Sequence, residues 1–270
     1  MTARKLVAAI LVLSAALAVT ACGSSSSKKT SSKPKTHQPR GKLIVSYEKP
    51  ADSAAAQAQQ LLKLGGVDGI AAGFTKNFKL PHDIHIVGRN GQDSPNYDPA
   101  KRTLTLYYGF VDFTAGIIRQ QNPHQSDYEF GKELAAVDDF IFIHELGHMF
   151  VDQFNLPVLG KEEDAVDALA AVFMTKFVSH GDEYAFDAAD FFNGLQHLTG
   201  PPSESSYFDE HSLDAQRAYE IICWIAGSNQ KDYGIILKAG LLPASRLQRC
   251  PTEYQQKVRS WLTLLRPHFA

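Results

Sequence analysis

The chain has 270 residues, 44% hydrophobic and 21% charged, which suits one well-cored globular domain with an appendage and does not suit a disordered or membrane-embedded chain. Its formal net charge of −2 conceals two unlike parts: residues 1–42 carry eight Lys or Arg and no acid, and residues 43–270 hold 19 basic against 29 acidic residues. An acidic globular part speaks against nucleic acid as a partner.

Residues 1–21 read as a bacterial export signal. Arg4 and Lys5 precede an apolar run from Leu6 to Val19 that is short for a membrane span. The run ends in Val19-Thr20-Ala21-Cys22, which resembles the lipobox of bacterial lipoproteins. That resemblance implies cleavage before Cys22 and a lipid anchor on Cys22, with the domain held at the extracytoplasmic face of the cell membrane. Residues 22–42 predict a disordered tether, because nothing after Cys22 in this stretch is apolar enough to bury.

The folded domain is expected over 43–270, of α+β class, with a small N-terminal sheet lobe (43–112) packed on a mainly helical C-terminal part. Leu43–Tyr47 predicts a strand, and residues 51–64 a helix stopped by Gly65-Gly66. Residues 84–88 alternate as a strand. Asn90-Gly91 and residues 93–99 are turn material. Residues 102–108 predict another strand, a candidate edge for pairing with an extended peptide. Ser126-Asp127-Tyr128-Glu129 has the form of a capping box and opens a long helix to about Phe154. Further helices are expected over 161–178, over 187–198, from a Ser212 cap to Ala226, briefly within 228–242, and over 251–265.

The long helix carries His144-Glu145-Leu146-Gly147-His148. Histidines at i and i+4 share a helix face, so both imidazoles can reach one metal ion. Glu145 is rotated about 100° from His144 and can act as a base on an activated water. The flanking Ile141, Phe142, Ile143, Met149 and Phe150 bury this helix, and two histidines and a glutamate in such a run need partners. Zinc requires a third protein ligand and an open fourth position. Val151 and Phe154 stand where a metzincin has Gly and His, which excludes that pattern. The next helix offers Glu163 and Asp167, four apart on one face, so that Glu163 can bind the metal and Asp167 can accept an N–H from a ligand histidine. Glu162 and Asp164 remain alternatives to Glu163 as the third ligand, as does Asp167 bound directly.

His144-Glu145-x-x-His148 followed by Glu163-x-x-x-Asp167 resembles the gluzincin class of metallopeptidases, which includes thermolysin. The connection differs from the common pattern, with only 14 residues between His148 and Glu163. The resemblance implies a zincin-like fold, Glu145 as general base and an oxyanion donor from the C-terminal part, for which His211 is the first candidate and Tyr207 the second. The longer run His144 to Asp167, with Leu156-Pro157-Val158-Leu159-Gly160 inside it, resembles a bacterial domain-of-unknown-function family of exported metallopeptidases, over most of 43–270. With Cys22 lipidated, Cys223 and Cys250 form an even pair, expected as a disulfide in an exported chain.

Together these readings predict a membrane-anchored zinc peptidase acting on a peptide or protein substrate. A non-peptidase zinc hydrolase, and a catalytically silent zinc- or peptide-binding lipoprotein, are the rival expectations.

Overall fold

The computed structural model describes residues 40–270. The export signal, Cys22 and the tether up to residue 39 lie outside the described residues. Ahead of the first strand the chain is already held: the Gly41 N–H donates to Leu80 O at 3.0 Å and the Lys42 N–H to Asp83 Oδ1 at 2.8 Å.

The N-terminal part runs β1 (Leu43–Tyr47), α1 (Ser53–Gly65), α2 (Val67–Asn77), β2 (Ile84–Arg89), β3 (Asn96–Asp98) and β4 (Thr103–Tyr107). The sheet order is β1-β2-β4-β3, with β1, β2 and β4 parallel and β3 antiparallel to β4. Two parallel strands need a crossover, and α1 and α2 supply it between β1 and β2. The sequence reading omits α2, whose Gly69 and Gly73 weaken helix propensity, yet Val67, Ala71 and Phe74 at helical spacing bury one of its faces. β3 lies in a stretch expected to be turn. β4 is not the edge strand proposed from the sequence. It lies between β2 and β3, and Leu104, Thr105 and Leu106 are buried in succession, as a strand covered on both faces requires. The edge on that side is β3.

α3 (Tyr108–Gln121) follows β4 without a loop, and α4 (Asp127–Gln153) follows α3. Ser126 caps α4: its Oγ accepts the Glu129 N–H at 3.3 Å and donates to Glu129 Oε2 at 2.8 Å. Most of α4 from Glu133 to Phe150 is buried, which makes it the central helix of the fold. Its C-terminal end is gripped by aromatic rings, with Phe150 at 5.4 Å from Phe74 and 4.6 Å from Phe78, and with Phe154 stacked on His268 at 3.9 Å. α5 (Glu162–Phe177) packs against α4 at Gly147, where an added Cβ would fall 2.7 Å from the Val166 side chain.

The remaining elements are α6 (Gly181–Thr199), α7 (Glu204–Tyr207), α8 (Asp214–Ser228), α9 (Gln230–Ala239), α10 (Ala244–Leu247), α11 (Cys250–Leu265) and a closing 3-10 turn (Arg266–His268). α6 begins six residues before its expected start. His180 turns into the left-handed region with φ 58°, and Gly181 then packs where a Cβ would meet Met174 O. Leu213, not Ser212, occupies the N-cap position of α8, where the Gln216 side chain accepts the Leu213 N–H at 3.1 Å. A Cys223–Cys250 disulfide ties α8 to the first residue of α11. The Trp261 indole N–H in turn donates to Ala165 O at 3.1 Å, joining α11 to α5. The molecule is thus of α+β class, a small sheet beside a mainly helical body. Among the described residues no helix is long and apolar enough to cross a membrane.

Candidate metal centre

His144 and His148 leave α4 one turn apart with their Nε2 atoms 3.3 Å from each other. Glu163, in the first turn of α5, brings Oε2 to 3.1 Å from His144 Nε2 and 3.4 Å from His148 Nε2. Ligands held 2.0–2.1 Å from a tetrahedral ion stand ~3.3–3.4 Å from one another. The three donor atoms therefore already have the spacing of one face of a zinc-sized tetrahedron. Glu163 Oε2 is buried and accepts no well-directed hydrogen bond in spite of its crowded surroundings, which suits an atom placed for a metal. The close approach at Gly147 makes this possible, since Val166 lies between Glu163 and Asp167 on the turn of α5 that meets α4.

A third imidazole completes the cluster. His211 Nε2 lies 3.0 Å from the same Glu163 oxygen, so that His144, Glu163 and His211 form a His/Glu/His group able to hold a metal ion. Each of the three rings is fixed from behind by a carboxylate at Nδ1. His144 donates to Asp167 at 2.7 Å, His148 to Glu162 at 2.8 Å and His211 to Asp209 at 3.2 Å. With Nδ1 carrying the proton, each Nε2 is free to point inward. Glu162 thus stands behind His148 and does not share the position of Glu163. Asp164 is not part of the His/Glu/His group; its charge, after burial, pushes the Glu220 carboxyl up. Tyr207 is exposed on α7 and takes no part in lining the cleft, unlike His211.

Three residues without a sequence signal support this arrangement. Arg217 of α8 grips Asp167 with both arms, Nε to Oδ2 at 2.7 Å and Nη2 to Oδ1 at 2.9 Å, and its guanidinium lies over the Phe192 ring at 3.9 Å. Lys161, just before α5, donates to Asp209 O at 3.0 Å and His211 O at 2.8 Å, which fixes the segment carrying His211. Asp209 also accepts the His211 backbone N–H at 2.8 Å. All three act across about 50 residues of chain or within an irregular segment, where no periodicity marks them.

The electrostatics are those of a cation site. Burial raises the Glu163 carboxyl but the surrounding imidazoles outweigh it and hold it far below the usual carboxylate range. Burial likewise raises Asp167, and Arg217 and His144 more than reverse this. Burial lowers His144, but Asp167 and Glu163 hold its pKa up at about 9. Glu145 is displaced upward, chiefly by burial, with the two neighbouring histidines opposing. Glu145 is buried at the floor of a cleft of about 520 Å³. His144, His211 and Arg217 form the polar side of this cleft, and Ile141, Phe191, Phe192 and Leu195 its apolar side. Ser94 and Pro95, immediately before β3, close one end.

The model of the family described as "Putative metallopeptidase" (DUF4344) matches residues 47–265. No curated protein and no solved structure matches the chain.

Proposed function

The chain belongs to this metallopeptidase family, and from that premise we propose that it is an exported, membrane-anchored zinc peptidase that hydrolyses peptide bonds with an activated water. The observation that carries the proposal is the convergence of His144 Nε2, His148 Nε2 and Glu163 Oε2 at 3.1–3.4 Å beside an open cleft that has Glu145 at its floor. These three residues would hold the ion, and His211, also within reach of Glu163 Oε2, would face the substrate. Zinc bound there supplies a Lewis acid that lowers the pKa of a water in the cleft.

The chain's own residues supply the rest. Glu145 takes the proton of the attacking water and passes it to the leaving amine nitrogen. Burial raises its basicity for that task. His211 donates its Nε2–H to the oxygen that gains charge as the carbonyl is attacked. Asp209, 3.2 Å from Nδ1, holds the ring in place and favours its protonated form. Asp167, Glu162 and Arg217 hold the ligand rings in place. The apolar wall of Ile141, Phe191, Phe192 and Leu195 receives a hydrophobic side chain, and the free edge of β3 beside Ser94 and Pro95 suits an extended peptide.

Export and anchoring are supported by the basic leader, the lipobox-like Val19-Thr20-Ala21-Cys22 and the Cys223–Cys250 disulfide, which fits an oxidising compartment. The activity is tested by metal analysis and cleavage of a peptide library with wild type and Glu145→Gln. We expect one zinc per chain in both proteins and a kcat lower by about 10²–10⁴ in the variant. Equal cleavage by the two proteins with zinc bound in each would remove the peptidase reading.

A further inference from the structure

Asp138 lies on α4 seven residues before Glu145. Seven residues fall within about 20° of two whole turns and rise ~10.5 Å, so Asp138 looks out on nearly the same side of the helix as Glu145, two turns nearer its N-terminus. Ile141, on the wall of the catalytic cleft, lies between them. Asp138 is only 7% exposed, and its Oδ2 has no hydrogen-bond partner. It lines a small side cavity that shares Pro95, Phe110 and Ile141 with the cleft, and the further lining side chains are Leu62, Leu106, Tyr107 and Val111. Among the described residues no basic side chain lines this cavity.

A buried carboxyl without a partner destabilises a fold, and an apolar side chain would serve the packing of α4 better at this position. Other carboxyls of α4 are placed differently. Glu133 accepts from Gln125 at 2.6 Å and lies within reach of Asn122, and Asp139 sits against the α1–α2 junction at Gly66. Asp138 alone among these three lines a cavity that shares wall residues with the cleft. The space at its end has room for about one water-sized group. A guanidinium or an aromatic ring exceeds that size, whereas an ammonium matches it. The wall between this cavity and the cleft, made by Ile141, Phe110 and Pro95, is apolar, which suits a slender methylene stem.

We propose that Asp138 determines specificity by receiving the side-chain ammonium of a substrate lysine flanking the scissile bond, with the lysine stem lying along Ile141 and Phe110. The inference rests on the peptidase reading above and assigns this side pocket a substrate class, chains with lysine next to the cleaved bond. The stem supplies apolar contact and Asp138 supplies the partner that a buried cation needs.

The test uses peptides identical except for Lys, Arg or norleucine at the positions flanking the cleaved bond, with zinc-loaded wild type, Asp138→Asn and Asp138→Leu. We expect kcat/KM for Lys to exceed that for norleucine and for Arg by about tenfold or more in wild type at one of the two positions. In both variants we expect the Lys-to-norleucine ratio to fall to about one. Calorimetric titration of the Lys and norleucine peptides into Glu145→Gln, with and without Asp138→Asn, gives a second readout that needs no turnover. There the Lys peptide binds about tenfold more tightly only while Asp138 is present. Equal use of Lys and norleucine by wild type, a preference that survives in both variants, or equal binding of the two peptides would overturn the proposal. If wild type cleaves no peptide, the peptidase reading fails, and the titration still decides the role of Asp138.

Discussion

Asp167 is the residue through which α5 and α8 both act on His144 of the proposed metal centre. Its carboxylate is 4% exposed and shared between the His144 ring and the Arg217 guanidinium. Replacing Arg217 by Met leaves a buried charge with one partner fewer, and the loss of a buried partner costs about 3–5 kcal/mol. We expect Arg217→Met to lower Tm and to weaken zinc binding about 10–100-fold, measured by competition with a chelator. Adding Asp167→Asn should recover much of the stability, because the unpaired charge is gone, but not the affinity, because His144 loses its anionic partner. Unchanged affinity in Arg217→Met would show that Asp167 orients His144 without help. His144, Glu145, His148, Glu163 and Asp167 stand out in the sequence because they lie on two consecutive helices, where spacings of three and four residues translate directly into shared faces. Arg217 is 50 residues from Asp167 in the chain, and nothing local distinguishes it from any other helical arginine.

Between α4 and α5 the decisive residue is Gly147. Ala is favoured over Gly inside a helix by about 1 kcal/mol, so Gly147→Ala would stabilise an isolated α4. In the folded protein its Cβ would stand 2.7 Å from both Cβ and Cγ1 of Val166, which forces the helices apart. We expect a net loss of about 1–3 kcal/mol by denaturant unfolding, together with weaker zinc binding as Glu163 is drawn away from the histidines. Val166→Ala removes the clashing Cγ1 and should restore part of both in the double variant. Purely additive losses would mean that the two residues do not press on each other. Helices with a strong cap or a clear apolar stripe, such as α4 and α5, could be read from the chain. α3 could not, because Tyr108-Gly109-Phe110-Val111 has the β-branched and aromatic character of a strand and continues directly from β4. β4 was legible as a strand, but its place inside the sheet depends on β3, a three-residue partner drawn from what reads as a turn.

Across the whole molecule the buried and partly buried carboxyls fall into two groups with opposite pH dependence. Glu163 and Asp167 are held low by their partners. They stabilise the fold above the unfolded carboxylate range, and that contribution is lost as pH falls. Asp139 on α4 and Asp187 on α6 are each pushed up to about 7, first of all by burial. For these the folded state binds more protons than the unfolded state between the ordinary carboxylate pKa of about 4 and 7, so stability declines as pH rises through that window and levels off above it. The sequence shows the acidic excess of the domain but not this division, because burial and partners are set only when distant elements close on one another. Asp139 is the cleaner test. Its carboxylate sits against the α1–α2 junction at Gly66 and does not line the cleft. Asp139→Asn keeps the shape and removes the charge. With chelator present, so that metal binding does not contribute its own proton linkage, we expect the variant to melt about 3–6 °C above wild type at pH 8, allowing for the partial exposure of the group. The gap should narrow steadily as pH is lowered and close near pH 4, where wild-type Asp139 is neutral in both states. A gap that stays constant from pH 8 to pH 4 would mean that Asn improves packing at this junction and that the Asp139 charge is not what wild type loses as pH rises.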